Sequence, residues 1–293
     1  MTPAVRRLPF PRCQGGEQPL WDEERGELWC IDNSGCRLHR WRWGEASCET
    51  FATPAVVTAL GLTRRGDLLV ALRTGLFRFD PREGSYALLQ PLPEPPPYVY
   101  NDAVVDPAGR WPVGVSTARF ARPAPDGGLA RLDADGALHW IERGIHFSNG
   151  PRFSPDGTAF YFSDSWLHRI YAYDYDAERG LLANRRVFAE TRSLGGMPDG
   201  AAVDEEGRLW VALYGAGRIA CFTPDGRLEG CVEVPARLVS SVTFAGPKRD
   251  VLCVTTIARA HGQSGDEAEA GAGHVYAIEG LAARGPAEAR YAG

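Results

Sequence analysis

The run Gly66-Asp-Leu-Leu-Val-Ala-Leu72 returns later in the chain as Gly207-Arg-Leu-Trp-Val-Ala-Leu213. Looser copies begin at Gly26 (Gly-Glu-Leu-Trp-Cys-Ile-Asp), Gly109 (Gly-Arg-Trp-Pro-Val-Gly-Val) and Gly157 (Gly-Thr-Ala-Phe-Tyr-Phe-Ser-Asp). A sixth, Arg249-Asp-Val-Leu-Cys-Val-Thr-Thr256, has no glycine at its head. Each copy leads into a second alternating run, such as Leu76-Phe-Arg-Phe-Asp80 or Arg169-Ile-Tyr-Ala-Tyr-Asp174. Period-two alternation in short runs, punctuated by turn residues, specifies β-strands, and no stretch sustains a helical period. Heads at 26, 66, 109, 157, 207 and 249 are spaced by roughly 40 to 50 residues, the size of one four-stranded propeller blade. The chain is therefore expected to be all-β, a six-bladed β-propeller with a central metal site, forming a single domain over residues 1–293. Closure removes sheet edges that would otherwise aggregate. Either the stretch Val5 to Phe10 or the C-terminal tail should complete a blade begun at the other end. Pro-rich Pro91 to Pro97 and Gly-rich Gly262 to Gly273 read as loops between strands.

Composition agrees with one large core. Of 293 residues, 44% are hydrophobic and 24% charged, close to ordinary globular usage. A net charge of -5 argues against nucleic acid or an anionic membrane as partner, since both select a basic face. No run of about 18 apolar residues spans a bilayer. Arg6 and Arg7 have no apolar stretch behind them, so no secretory signal is expected and a cytoplasmic location is. Seven cysteines at irregular spacing make neither a disulfide framework nor a Cys-x-x-Cys zinc motif. They are expected to be reduced, with Cys30, Cys221 and Cys253 as small core residues.

Counting back from the repeat heads brings the chemistry into view. Asn101, Asn149, Asp199 and Thr58 each stand eight positions before their head (109 minus 101, 157 minus 149, 207 minus 199, 66 minus 58). Ser241 stands eight before Arg249, and Glu17 nine before Gly26. In a propeller the first strand of each blade lies nearest the axis, so equivalent positions at its start form a ring. Four of the six, Glu17, Asn101, Asn149 and Asp199, supply carboxylate or amide oxygens. Hard divalent cations take such ligands, and two carboxylates balance a 2+ charge. Calcium is the first choice, followed by magnesium, manganese or oxygen-ligated zinc. Singly, Asn149-Gly150 and Asp199-Gly200 are ordinary turn dipeptides. Their common register is what joins them, because four such groups buried together without a cation would be costly.

The chain resembles the gluconolactonase family that includes regucalcin (senescence marker protein) and the luciferin-regenerating enzyme. The resemblance lies in Gly16-Glu-Gln-Pro-Leu-Trp21, Asn101-Asp-Ala-Val-Val-Asp-Pro-Ala-Gly109, Ser148-Asn-Gly-Pro151, Phe153-Ser-Pro-Asp-Gly157, Pro198-Asp-Gly200 and Val203-Asp204. It implies a six-bladed propeller, metal ligands at Glu17, Asn149 and Asp199, and Asn101 as a further ligand or a substrate contact. Two departures alter the implied substrate shell. Val99 stands where members acting on sugar lactones carry arginine. Gly114-Val115-Ser116 replaces a Gly-Thr-Met run, and Arg119 stands near the place of an acid that binds sugar hydroxyls. Arginine there would suit a lactone bearing an anionic group; the alternative reading is an arginine on an exposed loop.

The expected function is metal-dependent hydrolysis of a small, sugar-derived lactone to its hydroxy acid. Asp199 is the candidate general base or simply a ligand, and Val99, Asn101 and Arg119 are the candidate substrate contacts. The lactone is the only partner expected, with the chain a monomer or weak homo-oligomer. Alternatives are a non-catalytic calcium-binding propeller and a phosphotriester hydrolase using the same metal. His146, Trp166 and His168 flank loops of the fourth blade. Ser240-Ser241 has no Gly-x-Ser-x-Gly elbow, which argues against a serine nucleophile.

Overall fold

The computed structural model describes residues 3–92, 98–117, 124–259 and 269–293. After β1 (Ala4–Arg7), blade one comprises β2 (Gly16–Asp22), β3 (Glu27–Asp32), β4 (Arg37–Arg42) and β5 (Glu49–Ala52). Blade two comprises β6 (Val57–Leu62), β7 (Leu68–Leu72), β8 (Gly75–Asp80) and β9 (Ser85–Pro91). Blade three comprises β10 (Tyr98–Ala103), β11 (Trp111–Thr117), β12 (Gly127–Leu132) and β13 (Leu138–Ile145). Blade four comprises β14 (Ser148–Phe153), β15 (Ala159–Asp164), β16 (Arg169–Asp176) and β17 (Leu181–Glu190). Blade five comprises β18 (Met197–Val203), β19 (Leu209–Tyr214), β20 (Arg218–Phe222) and β21 (Leu228–Glu233). Blade six takes β22 (Val239–Ala245), β23 (Val251–Thr256) and β24 (Tyr276–Glu279) from the C-terminal part, and β1 as its fourth strand. Six antiparallel four-stranded blades make the predicted six-bladed β-propeller.

The completing strand is N-terminal. Residues Ala4 to Arg7 run antiparallel to β24, from Ala4 opposite Glu279 to Arg7 opposite Tyr276, and Arg6 Nε donates to Glu279 Oε1 at 2.7 Å. The C-terminal tail docks elsewhere: Tyr291 bridges Thr63, is buried, and donates its hydroxyl to Asp133 O at 2.7 Å.

The glycines heading five of the repeats all have left-handed backbone, φ from +63° to +88°, which a side chain disfavours. Arg249 takes the same conformation at φ +54°. Its guanidinium offsets the strain by donating to Gly285 O at 2.8 Å and pairing with Glu23 and Glu205.

Two compact units divide the chain: Met1–Val56 with Thr191–Ala287, and Val57–Glu190 with Glu288–Gly293. In the first, alternating residues of blade six meet those of blade five, with Trp210, Val242, Phe244 and Ile278 at the contact. A second cluster there gathers Phe10, Trp21, Trp41 and Cys253. The second unit is filled around Trp111, Tyr100 and Tyr291, and around Phe160, Phe162 and Tyr173. All seven cysteines are unpaired thiols. Among the described residues no helix is long and apolar enough to cross a membrane. The two loop stretches read at 91–97 and 262–273 fall largely outside the described residues.

Candidate metal centre

Every first strand breaks register against its neighbour near its start. The break falls between Glu17 and Leu20, Val57 and Ala59, Asn101 and Ala103, Asn149 and Arg152, Pro198 and Ala201, and Val239 and Ser241. One extra residue on one strand bends the backbone and re-aims a side chain. The residues following Glu17, Asn101 and Asn149 share a left-handed φ: Gln18 at +34°, Asp102 at +47° and Gly150 at +54°. Non-glycine residues rarely adopt this region, so the three positions are alike in local geometry, although Glu17 stands one residue further from its repeat head.

Within the second unit, Asn101 and Asn149 meet directly. Asn101 Nδ2 donates to Asn149 Oδ1 and to Ser148 O, both at 2.7 Å. Asn149 Nδ2 donates to Ser165 Oγ at 2.9 Å. With both amide nitrogens engaged, each carbonyl oxygen has a fixed orientation. Below them the buried Asp102 accepts from Ala103 N at 2.8 Å and, across the blades, from Gly150 N at 2.9 Å. Burial pushes its carboxyl above the ordinary range, against the opposing pull of Arg152 and these two amides. Ser116 and Ser148 share a hydroxyl–hydroxyl bond of 2.9 Å. Gly114 is required beside them, since a Cβ there would stand 2.2 Å from Asn101 O. Val99 is buried and pairs with Ser116 across the ladder.

Within the first unit, Glu17 is half-buried and Asp199 buried. Both act on Tyr214, at the end of β19. Burial first, then the negative charges of Asp199 and Glu17, push its hydroxyl up to about 12. The acids thus concentrate negative charge at one place. Blade six closes tightly against Asp199: a Cβ on Gly200 would lie 2.0 Å from Ser241 Oγ. Ser240 is structural, donating to Gly16 O at 2.6 Å and bonding Thr255 Oγ1 at 2.9 Å. Sequence reading missed Tyr214. Its signal was the strand register, which sets Tyr214 opposite Met197, two residues before Asp199.

The remaining candidates separate by environment. Thr58 is buried, its hydroxyl donating to Ala71 O at 3.3 Å. His146 Nδ1 lies 2.9 Å from Asp164 Oδ2, and Asp164 also receives His146 N at 2.9 Å. Trp166 is 47% exposed, and His168 ends the same short turn with φ +58°. Arg119 lies outside the described residues. A second group, Cys13, Asp32 and His39, was not anticipated. Its spacing matches no motif, and only strand pairing assembles it.

Glu17 and Asp199 in the first unit offer carboxylate oxygens, and Asn101 and Asn149 in the second offer amide oxygens, donors of the type that hard cations take. Residues 15–258 match the profile of the SMP-30/Gluconolactonase/LRE-like region. A pentonolactonase from Haloferax volcanii is 32% identical over 86% of this chain and 84% of its own length. A 6-deoxy-6-sulfogluconolactonase from Pseudomonas putida is 33% identical over 82% of each chain. The solved structure of a calcium-binding protein, regucalcin, from Agrobacterium tumefaciens superposes with a TM-score of 0.90 at 27% identity. It covers 99% of this chain and 98% of its own.

Proposed function

We propose that this chain, which belongs to the SMP-30/Gluconolactonase/LRE-like family, hydrolyses the ring ester of a small sugar-derived lactone to the hydroxy acid. The observation that carries the reading is the shared bulge and left-handed step beside Glu17, Asn101 and Asn149. It makes positions already matched by count, to within one residue, alike in backbone geometry too.

In this reading Glu17, Asn101, Asn149 and Asp199 hold one divalent cation, calcium before magnesium, manganese or zinc. Bound there, the cation supplies Lewis-acid stabilisation of negative charge developing on the ester oxygen. Asp199 ligates and also accepts the proton of the attacking water; a strained ester needs no stronger base. Asn101 and Asn149 contribute their carbonyl oxygens, because their amide nitrogens are engaged by Ser148, Asn149 and Ser165. Tyr214 stays a neutral hydroxyl, with its ionisation opposed by burial and by the two acids.

The substrate belongs to the sugar lactones. Val99 stands where the resemblance expects the arginine of sugar-lactone members, so the substrate shell is altered, and Arg119 suits an anionic substituent. The relative named for a sulfonated lactone is in keeping with that preference. Initial rates on a panel of neutral and sulfonated or carboxylated sugar lactones, followed with a pH indicator, test the proposal. Hydrolysis of at least one class, with Arg119→Ala selectively slowing acidic lactones, is expected. Absence of turnover on every lactone overturns it in favour of a calcium-binding propeller.

A further inference from the structure

Blade one carries a second set of ligating side chains, of different chemistry. Alternation along a strand puts Cys30 and Asp32 on one face of β3, and the register sets His39 of β4 opposite Cys30. The segment leading from β1 into β2 lays Cys13 against them. Ligand atoms of Cys13, Asp32 and His39 lie within 4.8 Å of one another. All three residues are at most 2% exposed.

The imidazole shows that this is more than packing. His39 Nδ1 lies 2.9 Å from Thr50 Oγ1, which leaves Nε2 for the cluster. Among the described residues that buried nitrogen has no hydrogen-bond partner, and an unsatisfied buried polar atom costs free energy. Metal-bound histidines are held in this way, one nitrogen on the ion and the other hydrogen-bonded to an oxygen. Asp32 is equally fixed. Its Oδ1 accepts from Gly15 N at 2.9 Å and Gly35 N at 3.0 Å, and its Oδ2 from Gln14 N at 3.1 Å. Each carboxylate oxygen has two acceptor sites, so Oδ2 retains one for a cation.

We propose that Cys13, Asp32 and His39 bind one zinc ion. One thiol, one imidazole and one carboxylate are each donors that zinc accepts, and here they are enclosed. The Cys13 thiol releases its proton as the ion binds. The ion fastens the segment that leaves β1, in blade six, onto the sheet of blade one. Cys13 N already donates to Gly273 O at 2.7 Å, so the same segment is held at both sides. This site shares no ligand with Glu17, Asn101, Asn149 and Asp199, and neither proposal depends on the other.

The test uses full-length Asp199→Ala protein, which lacks an acid of the oxygen-ligand site, stripped with chelator under reducing conditions. Titration with cobalt should give a thiolate-to-cobalt charge-transfer band, and zinc should displace the cobalt at one ion per chain. Adding Cys13→Ser should abolish the band and weaken zinc binding by about 100-fold or more, while Thr50→Val, on the exposed strand β5, should weaken it about 10-fold. Circular dichroism verifies that each variant is folded. Failure of the Asp199→Ala protein to bind zinc, cobalt binding without a thiolate band, or unchanged binding in both folded variants overturns the proposal.

Discussion

At the scale of single residues, the proposed function depends most on Asp199, proposed both as ligand and as base. The two roles separate in Asp199→Asn, which keeps an oxygen donor but cannot accept the water's proton. The account expects kcat to fall by about 10²- to 10⁴-fold while calcium, followed by titration calorimetry, still binds. Near-normal turnover in this variant would make Asp199 a ligand alone. The candidate oxygen donors stand out because side-chain type and count sit in the sequence itself. What surrounds them does not. The bond between Asn101 and Asn149 and the support from Asp102 come from contacts between strands distant in sequence. His146 shows the converse: a histidine in a loop near candidate ligands proves to be held by Asp164.

Among elements, the strands were legible from alternation and the turns from their glycines. Arg249 hid the sixth turn, because arginine gives no sign that it will take a left-handed conformation. The Cys13–Asp32–His39 cluster was hidden for a related reason. Irregular cysteine spacing reads as core, and only the pairing of β3 with β4 sets Cys30 beside His39. The seam of blade six makes its own prediction. His274 is buried there, and burial together with the charges of Arg7 and Arg12 holds its pKa below the ordinary imidazole value of 6.5. In this pH range the folded state therefore binds fewer protons than the unfolded state, so stability is full above about 6.5 and declines as pH falls through it. Melting temperatures at pH 7.5 and 5.5 should drop more steeply for the wild type than for His274→Leu. Parallel slopes would show that His274 does not contribute.

For the whole molecule, six repeats announced six blades, but the choice of closing strand was not decidable from sequence. Both ends carry apolar residues, and β1 completes blade six while Tyr291 packs in the other unit. Removing residues 1–7 takes away the four-residue ladder with β24 and the Arg6–Glu279 pair. At about 1 kcal/mol for each lost backbone bond, the melting temperature should fall by roughly 10 °C in calorimetry. An unchanged value would mean that β1 is dispensable. The bare edge of β24 should also make the truncated chain more prone to aggregate. The proposed function, finally, depends on Glu17, Asn101, Asn149 and Asp199 as oxygen donors, and one experiment addresses it most directly. Chelator-stripped wild-type and Asp199→Ala proteins are assayed on the sugar-lactone panel, with calcium, magnesium, manganese and zinc restored one at a time. The account predicts that stripped wild type is inactive, that a divalent cation restores hydrolysis, and that no cation restores Asp199→Ala. Full hydrolysis by the stripped protein, or by Asp199→Ala, would contradict it.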